Sequence, residues 1–206
     1  MATTHQQTTS KRAQLHQQQA LAAAKERRNR RLFRAAMALL SVFIVGIVAF
    51  GLWSARPDAN ATARQAPEFS LRTTAGTTVS LADYRGKPVI LYFNEGAGCG
   101  SCTQQMALIE KEPGFAEAGI TVLPIVMNTA EQIQPDLDTF GVTTPYLLDD
   151  GQVSKAYDTL DKGMHPGLPG HGFVLIDANG RQVWSGNYPS MFLEPKQLLQ
   201  EATSRL

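Results

Sequence analysis

The stretch PVILYFNEGAGCGSCTQQMALIEK, residues 88–111, decides the fold of this chain. Its first six residues are nearly all apolar, which predicts a central β-strand that is buried on both faces. A glycine-rich turn follows, and residues 102–111 then have the apolar spacing of a helix. The two cysteines of the chain, Cys99 and Cys102, therefore lie between a buried strand and the start of a helix.

Strands and helices alternate on both sides of this stretch. Upstream, apolar and polar residues alternate around Gly76, which predicts a small β-hairpin. Downstream, the patterns predict further elements at residues 120–127, 129–140, 145–150, 153–160, 172–177, 181–186 and 194–206. Asn179-Gly180 is a strong hairpin signal between the last two strands. The resulting order predicts an α/β fold with a mixed central sheet that is flanked by helices.

The N-terminal part of the chain divides into a basic segment and an apolar segment. Residues 1–34 carry eight Lys or Arg side chains and a single Glu, although the net charge of the whole chain is only +1. Residues 35–53 contain no charged side chain, and about 20 apolar residues suffice for a helix to span a membrane. We therefore predict a basic cytoplasmic segment at 1–34, one transmembrane helix at 35–54, a linker at 55–65 and a folded domain at 66–206.

The basic flank also predicts the orientation of the chain. Lys and Arg residues beside a span stay on the cytoplasmic side, so the folded domain is predicted to be extracytoplasmic on a single-pass protein of the cell membrane. Contact with a membrane accounts for the basic segment without a nucleic-acid partner. A cleaved signal peptide is the alternative, because the small residues Ala59, Ala61 and Ala63 offer a cleavage site.

The spacing of the two cysteines favours redox chemistry over a structural role. A disulfide between Cys99 and Cys102 closes a very short loop, so it removes little entropy from the unfolded chain. A structural zinc site needs four ligands, which usually come from two such pairs. A cysteine at a helix N-terminus is stabilised as a thiolate, the attacking species in thiol–disulfide exchange. We therefore interpret the pair as redox-active and expect neither a cofactor nor a metal; an inert short disulfide and a zinc site are the alternatives.

A resemblance to a known group becomes specific at these residues. Residues 66–93, APEFSLRTTAGTTVSLADYRGKPVILYF, followed by the C-x-x-C, resemble the opening of the redoxin group in the thioredoxin-like superfamily. The similarity continues through TPYLLDDGQVSKAYD and GFVLIDANGRQVW, so it covers residues 66–205. The group includes membrane-tethered thiol–disulfide oxidoreductases and the alkyl hydroperoxide reductase/thiol-specific antioxidant peroxiredoxins. The resemblance implies a thioredoxin-like fold, with Cys99 as the nucleophile and Cys102 as the resolving partner.

Two departures from the redoxin pattern concern the surroundings of the pair. The turn before Cys99 is one residue longer than usual, and in a peroxiredoxin register the peroxidatic cysteine is Cys102. The cis-proline expected before the strand at 172–177 is displaced, because an ungapped match places His171 there and Pro169 fits only with one extra residue. We favour His171, whose imidazole could hydrogen-bond a thiolate, shuttle a proton or join two thiolates around a metal.

Two further side chains are candidates for the site. Glu95 lies just upstream of the pair and could accept a proton from Cys102, while a solvated loop carboxylate is the alternative. His165 lies in the same loop as His171 and could add to a metal site. Both assignments depend on contacts that the sequence alone does not define.

These residues suggest three functions. The leading hypothesis is a thiol–disulfide oxidoreductase that exchanges electrons with thiols or disulfides of proteins or small molecules through a mixed disulfide. The second is a peroxiredoxin-like peroxidase, whose substrates are peroxides. The third is a copper-binding module that resembles the thioredoxin-fold proteins of copper delivery, although their C-x-x-x-C spacing is one residue longer.

Overall fold

A computed structural model describes residue 30 and residues 32–34, 36–53, 58–60 and 63–206. Most of the predicted basic segment, part of the predicted linker and Ala61 of the cleavage site lie outside the described residues. The chain divides into two compact units, of which the first ends at Trp53 and the second comprises Ser54–Leu206.

The first unit contains one long helix, α1, at Leu32–Trp53. Its 22 residues extend over about 33 Å at 1.5 Å per residue, slightly more than the hydrocarbon thickness of a bilayer. A helix that is apolar on all sides requires apolar surroundings. Within the described residues, α1 is the one helix that is long and apolar enough to cross a membrane.

The second unit is an α/β domain in which the predicted elements occur in the predicted order, with β1, β2, α3 and a 3-10 helix in addition. Its strands are β1 (Asp58–Asn60), β2 (Arg64–Gln65), β3 (Ser70–Thr73), β4 (Thr78–Ser80), β5 (Val89–Phe93), β6 (Thr121–Val126), β7 (Leu147–Leu148), β8 (Gly172–Ile176) and β9 (Arg181–Asn187). Its helices are α2 (Gly100–Ile109), α3 (Gly114–Glu117), α4 (Ala130–Phe140), α5 (Gln152–Ala156) and α6 (Pro195–Thr203), with a short 3-10 helix at Leu81–Tyr84.

The strands of the described chain form one mixed sheet. Its order is β1-β9-β8-β5-β6-β7-β3-β4, and β2 also pairs with β9. The central strand β5 runs parallel to β6 and antiparallel to β8, with Leu91 opposite both Leu123 and Val174. All five residues of β5 are buried, which confirms the prediction of a strand covered on both faces. The hairpin predicted at Asn179-Gly180 is also confirmed, since β8 and β9 pair antiparallel.

Alternate residues of β5 contribute to two hydrophobic cores. Ile90 and Tyr92 belong to a core that also contains side chains of α2, α4 and α6. Leu91 and Phe93 belong to a second core on the opposite face, together with Phe69. Burying each large apolar side chain stabilises the fold by about 1.5–3 kcal/mol. The strand is therefore held from both sides, and the turn that leaves it starts from a fixed point.

Two short strands occur within residues 55–65, the segment predicted to be a linker. β1 and β2 pair antiparallel with β9, with Ala59 opposite Gly186 and Arg64 opposite Gln182. Within the described part of this segment, the chain therefore adds two short strands to the sheet beside β9. A strand at the edge of a sheet offers free N–H and C=O groups to any extended chain. Residues 58–60 and 64–65 can therefore pair with β9 without an apolar pattern of their own.

Candidate active site

The two cysteines lie at the N-terminus of α2. Cys99 is the N-cap residue and Gly100 is the first helical residue. Cys99 and Cys102 form a disulfide with their Cα atoms 5.3 Å apart. The Cys99 carbonyl accepts hydrogen bonds from the amides of Cys102 (3.0 Å) and Thr103 (3.2 Å). The helix thus begins two residues before the predicted start, and the pair occupies its N-cap and first turn.

The two cysteines differ in exposure. Cys102 is 0% exposed, whereas Cys99 is partly exposed. A molecule that approaches from solvent therefore meets Cys99 first.

Side-chain oxygens shape the turn between β5 and the pair, residues 94–98, which we call the redox turn. Three consecutive amides donate to them: Gly96 N to Asn94 Oδ1 at 3.0 Å, Ala97 N to Asn128 Oδ1 at 2.9 Å and Gly98 N to Asp136 Oδ2 at 2.8 Å. These bonds satisfy amides that no strand or helix pairs. The backbone that leads into Cys99 is therefore held by three separate side chains.

Two separate features require glycine at position 96, in the centre of the redox turn. Gly96 has a φ of +80°, a left-handed conformation that side chains other than glycine rarely adopt. A Cβ atom at this position would also collide with Asn128 Oδ1. The Gly96 carbonyl in turn accepts a hydrogen bond from the Cys99 amide at 3.0 Å, so the close approach of Asn128 helps to position the cysteine.

Tyr92 links the redox pair to His171. Its hydroxyl donates to the Cys102 carbonyl at 3.0 Å and lies 3.2 Å from His171 Nδ1, with Nε2 at 3.5 Å. The Tyr92 ring stacks on Phe173, and the His171 ring meets Tyr92 edge to face. No hydrogen bond joins His171 to either cysteine within the described residues, so His171 contacts the pair through Tyr92.

Burial determines the protonation states of His171 and Tyr92. His171 is 0% exposed, and burial lowers its pKa to about 4, with a smaller opposing effect from the negative charge of Glu95. Burial raises the pKa of Tyr92 well above its ordinary value, so the hydroxyl keeps its proton. A neutral imidazole carries one ring proton, so His171 and the Tyr92 hydroxyl share a hydrogen bond beside the one that reaches the Cys102 carbonyl.

Pro169 and His171 occupy different places. Pro169 pairs with Leu160 in an isolated bridge. His171 directly precedes β8, and its carbonyl accepts a hydrogen bond from the Tyr188 amide at 2.8 Å. The structure therefore places His171, rather than Pro169, against Tyr92.

Glu95 is 4% exposed, and its carboxylate is directed at residues 163–168, which we call the 163–168 loop. Oε1 accepts from the amides of Met164 (2.6 Å) and His165 (3.3 Å), and Oε2 lies 2.6 Å from His165 Nδ1. Among the described residues, Glu95 makes no hydrogen bond to Cys102. The geometry therefore gives no support to Glu95 as the proton acceptor of Cys102.

The helix N-terminus places positive potential at the cysteine pair. In the part of the chain that the structure describes, no Lys or Arg pairs with or hydrogen-bonds to either cysteine. The N-terminus of α2 supplies positive potential, and Asp136 places a carboxylate oxygen 2.8 Å from the Gly98 amide of the redox turn. The described residues contain no group of three or more His, Cys, Asp or Glu side chains that could hold a metal ion, so the copper hypothesis gains no ligand set.

Three residues of the site were missed by sequence reasoning. Of the three, Tyr92 had the clearest signal in the sequence, because it is the one hydroxyl-bearing side chain in an otherwise apolar strand. Asn128 and Asp136 bind amides that lie 31 and 38 positions away in sequence. No local pattern indicates such contacts, since they depend on how β6 and α4 pack beside the turn.

Comparisons with known proteins bear on this site. Residues 62–184 match the profile of the AhpC/TSA family. A Mycobacterium tuberculosis protein named as a peroxiredoxin is 34% identical over 125 residues, which cover 58% of this chain and 80% of that protein. The thiol-disulfide oxidoreductase ResA of Geobacillus thermodenitrificans is 30% identical over 159 residues, which cover 76% of this chain and 86% of ResA. The redoxin resemblance is thereby confirmed.

A solved structure supports the fold. The crystal structure of Enterococcus faecalis AhpC superposes with a TM-score of 0.61 at 18% identity and covers 70% of this chain and 92% of AhpC. At this identity the likeness concerns the fold alone, and it confirms the predicted thioredoxin-like architecture.

Proposed function

The chain belongs to the AhpC/TSA family of thiol-based redox enzymes, and we propose that it is a membrane-anchored thiol–disulfide oxidoreductase. In this proposal the Cys99–Cys102 pair exchanges two electrons with the cysteines of a partner. One observation carries the proposal: Cys99 is partly exposed at the start of α2, whereas Cys102 is buried in the first turn behind it. An attacking thiol must be reached by its partner, while a resolving thiol needs to reach only the first sulfur.

The exchange takes place in two displacement steps. In the reduced enzyme the Cys99 thiolate attacks one sulfur of a partner disulfide, whose S–S bond breaks, and the departing partner sulfur takes up a proton. Cys102 then loses its proton and attacks Cys99 Sγ, so that the mixed disulfide breaks and the second partner sulfur leaves as a thiol. The partner gains two electrons and two protons, and the enzyme ends with the Cys99–Cys102 disulfide. The reverse sequence oxidises a partner dithiol.

The surroundings favour this division of roles. The N-terminal amides of α2 and the helix dipole stabilise a thiolate at the N-cap residue Cys99. Burial disfavours the charged form of Cys102, so Cys102 remains a thiol until the mixed disulfide has formed beside it. His171 is neutral because burial lowers its pKa to about 4, so it adds no positive charge to the pair.

The decisive experiment traps the mixed disulfide. Cys102→Ser removes the resolving thiol, so full-length protein should accumulate as a covalent adduct with its partner, which is detected on non-reducing gels and lost on reduction. Cys99→Ser is the matched control and should trap nothing. Equal or stronger trapping by Cys99→Ser would reverse the two roles, and no adduct with either variant would contradict the proposal.

A peroxidase is the second candidate, because several relatives are named as peroxiredoxins and the peroxiredoxin register makes Cys102 the attacking residue. Cys102 is 0% exposed, so a peroxide in solvent has no direct access to it. We therefore rank the peroxidase function below disulfide exchange. Stopped-flow oxidation by peroxide separates the two functions. A peroxidase requires oxidation far faster than that of free cysteine and loss of this rate in Cys102→Ser but not in Cys99→Ser.

Membrane attachment and orientation are also part of the proposal. They are supported by the length and composition of α1 and by the excess of Lys and Arg in residues 1–34. We expect the protein to stay with membranes after alkaline extraction. A membrane-impermeant maleimide should label Cys99 of the Cys102→Ser variant in intact cells, and labelling only after lysis would place the domain on the cytoplasmic side.

A further inference from the structure

A hydroxyl group and an imidazole lie together among apolar rings beside the cysteine pair. Tyr92 and His171 are both fully buried. Taking such polar groups out of water is costly unless each finds a hydrogen-bond partner. Both rings also contact Phe173, so an apolar aromatic side chain at either position would serve the packing as well. The polar atoms therefore call for an explanation other than the filling of space.

The hydrogen bonds of the Tyr92 hydroxyl lead to one backbone atom of the redox pair. The hydroxyl donates to the Cys102 carbonyl at 3.0 Å and lies 3.2 Å from His171 Nδ1. A hydroxyl can rotate about its C–O bond, whereas two partners in fixed places define its direction. Burial raises the pKa of Tyr92 well above its ordinary value, so the hydroxyl remains a donor. His171 thus holds the hydroxyl, and the hydroxyl holds the backbone of Cys102.

A second tyrosine shows that a buried hydroxyl in this core is not always bound. Tyr146 is also fully buried and belongs to the same hydrophobic core as Tyr92. Its hydroxyl has no hydrogen-bond partner within the described residues. The two side chains have the same chemistry and similar surroundings, and the bond to Cys102 distinguishes Tyr92 from Tyr146.

This bond reaches the cysteine that acts second in the proposed exchange. Cys99 attacks the partner first, and Cys102 then attacks Cys99 Sγ within the mixed disulfide. The second attack is intramolecular, so its rate depends on how closely the two sulfur atoms are held in the reactive geometry. Among the described residues, Tyr92 makes no hydrogen bond to Cys99. The bond is therefore placed to affect the second step and not the first.

We propose that Tyr92 is a positioning residue for the resolving step and that His171 fixes the Tyr92 hydroxyl for this role. Together they hold the backbone of Cys102 so that its sulfur stays within reach of Cys99 Sγ after the mixed disulfide has formed. Both residues act through the main chain of Cys102. The inference rests on the proposed disulfide exchange and deepens it by naming the residues that govern its second step.

An aromatic disulfide separates the two steps. Reduced full-length protein in detergent is mixed with dithiobis(nitrobenzoate), whose thiolate product is coloured. The Cys99 thiolate attacks the probe, the S–S bond of the probe breaks, and the first coloured thiolate leaves. Cys102 then loses its proton and attacks Cys99 Sγ, which releases the second thiolate and leaves the Cys99–Cys102 disulfide. Stopped-flow absorbance distinguishes the first phase, whose rate rises with probe concentration, from the second, whose rate does not.

Tyr92→Phe should slow the second phase about tenfold, the size expected for the loss of one hydrogen bond, and leave the first phase unchanged. The slowing should be the same at every pH well above the lowered pKa of His171, because positioning does not depend on a titration. Tyr146→Phe is the matched control and should keep both rates. A wild-type second phase in Tyr92→Phe, an equal slowing of both phases, or the same loss in Tyr146→Phe would overturn the proposal.

The role of His171 is tested with the same probe. His171→Phe keeps an aromatic ring but removes the ring nitrogens, so it should slow the second phase by about threefold to tenfold. His171→Asn restores a polar atom near the place of Nδ1 and should recover most of the rate. Equal rates in these two variants would contradict the role of His171.

Failure of the proposed exchange would give a different result. If wild-type protein releases no second thiolate, Cys102 does not resolve the mixed disulfide, and the exchange and this inference fail together. If wild-type protein releases both thiolates and Tyr92→Phe does so at the same rates, the exchange stands and the positioning role of Tyr92 alone is overturned.

Discussion

The redox turn and the 163–168 loop are both irregular backbone beside the cysteine pair, but they are held differently. Amides of the redox turn donate to Asn94, Asn128 and Asp136, which lie in separate parts of the chain. The 163–168 loop is attached to that turn through one carboxylate, Glu95. Three side chains thus hold the amides of the redox turn, whereas one side chain, Glu95, joins the 163–168 loop to that turn.

The largest expected effect comes from breaking the redox turn at Gly96. Gly96→Ala should lower the free energy of unfolding by about 4 kcal/mol, because left-handed strain and a collision with Asn128 add together. Chemical unfolding of the full-length protein measures the loss. Gly76→Ala is the matched control, since Gly76 has a similar φ of +78° in open space, and it should cost only about 1 kcal/mol. Equal losses would show that the Asn128 contact has no energetic role.

The next effect concerns His171, just after the 163–168 loop, and depends on pH. Its pKa is lowered to about 4 in the folded protein from about 6.5 in the unfolded chain. Between these values the unfolded chain binds a proton that the folded protein does not, so stability is complete above pH 6.5 and falls as the pH decreases toward 4. The expected loss between pH 7 and pH 4 is about 3 kcal/mol.

Unfolding curves at several pH values test this dependence. His171→Gln should remove this contribution and flatten the curve, whereas His165→Gln, at the exposed histidine of the 163–168 loop, should keep it. An unchanged slope in His171→Gln would show that another group causes the acid sensitivity.

A smaller and local effect is expected from Glu95. Glu95→Ala should raise the amide hydrogen exchange of Met164 and His165 by about tenfold or more, because their acceptor is lost. The amides of Ala97 and Gly98 should keep their protection, since Asn128 and Asp136 still bind them. Hydrogen exchange followed by NMR or mass spectrometry measures both sets. Faster exchange in both segments would mean that the two regions are not held independently.

The smallest effect is electrostatic and concerns Asp136. Asp136→Asn keeps an oxygen for the Gly98 amide but removes a negative charge near the N-terminus of α2, so the Cys99 thiolate should be favoured slightly. Alkylation of the Cys102→Ser protein at a fixed pH should therefore be slightly faster in the variant. Asp138→Asn is the control, because Asp138 lies on the same helix but bonds to Gln134. The same increase in both variants would indicate a general charge effect.

Much of the fold and part of the site could be predicted from local pattern. The apolar run of β5, the helical spacing of α4 and the turn residues between β8 and β9 each carry their own signal, because burial and turn geometry constrain neighbouring residues. The strands β1 and β2 carry none, since they pair through main-chain groups with a distant edge strand. Glu95 illustrates the same limit at the site: its position before the pair suggested a proton acceptor for Cys102, but it binds residues 164–165.

By itself, the sequence determined that a C-x-x-C follows a buried strand and begins a helix in a redoxin-like domain, because those features depend on residues close together in the chain. Only the tertiary structure decided that Cys102 is buried, that Tyr92 joins it to a neutral His171 and that Glu95 fastens the 163–168 loop. Burial and hydrogen-bond partners depend on which distant segments pack together, and no short-range pattern of residues encodes that choice.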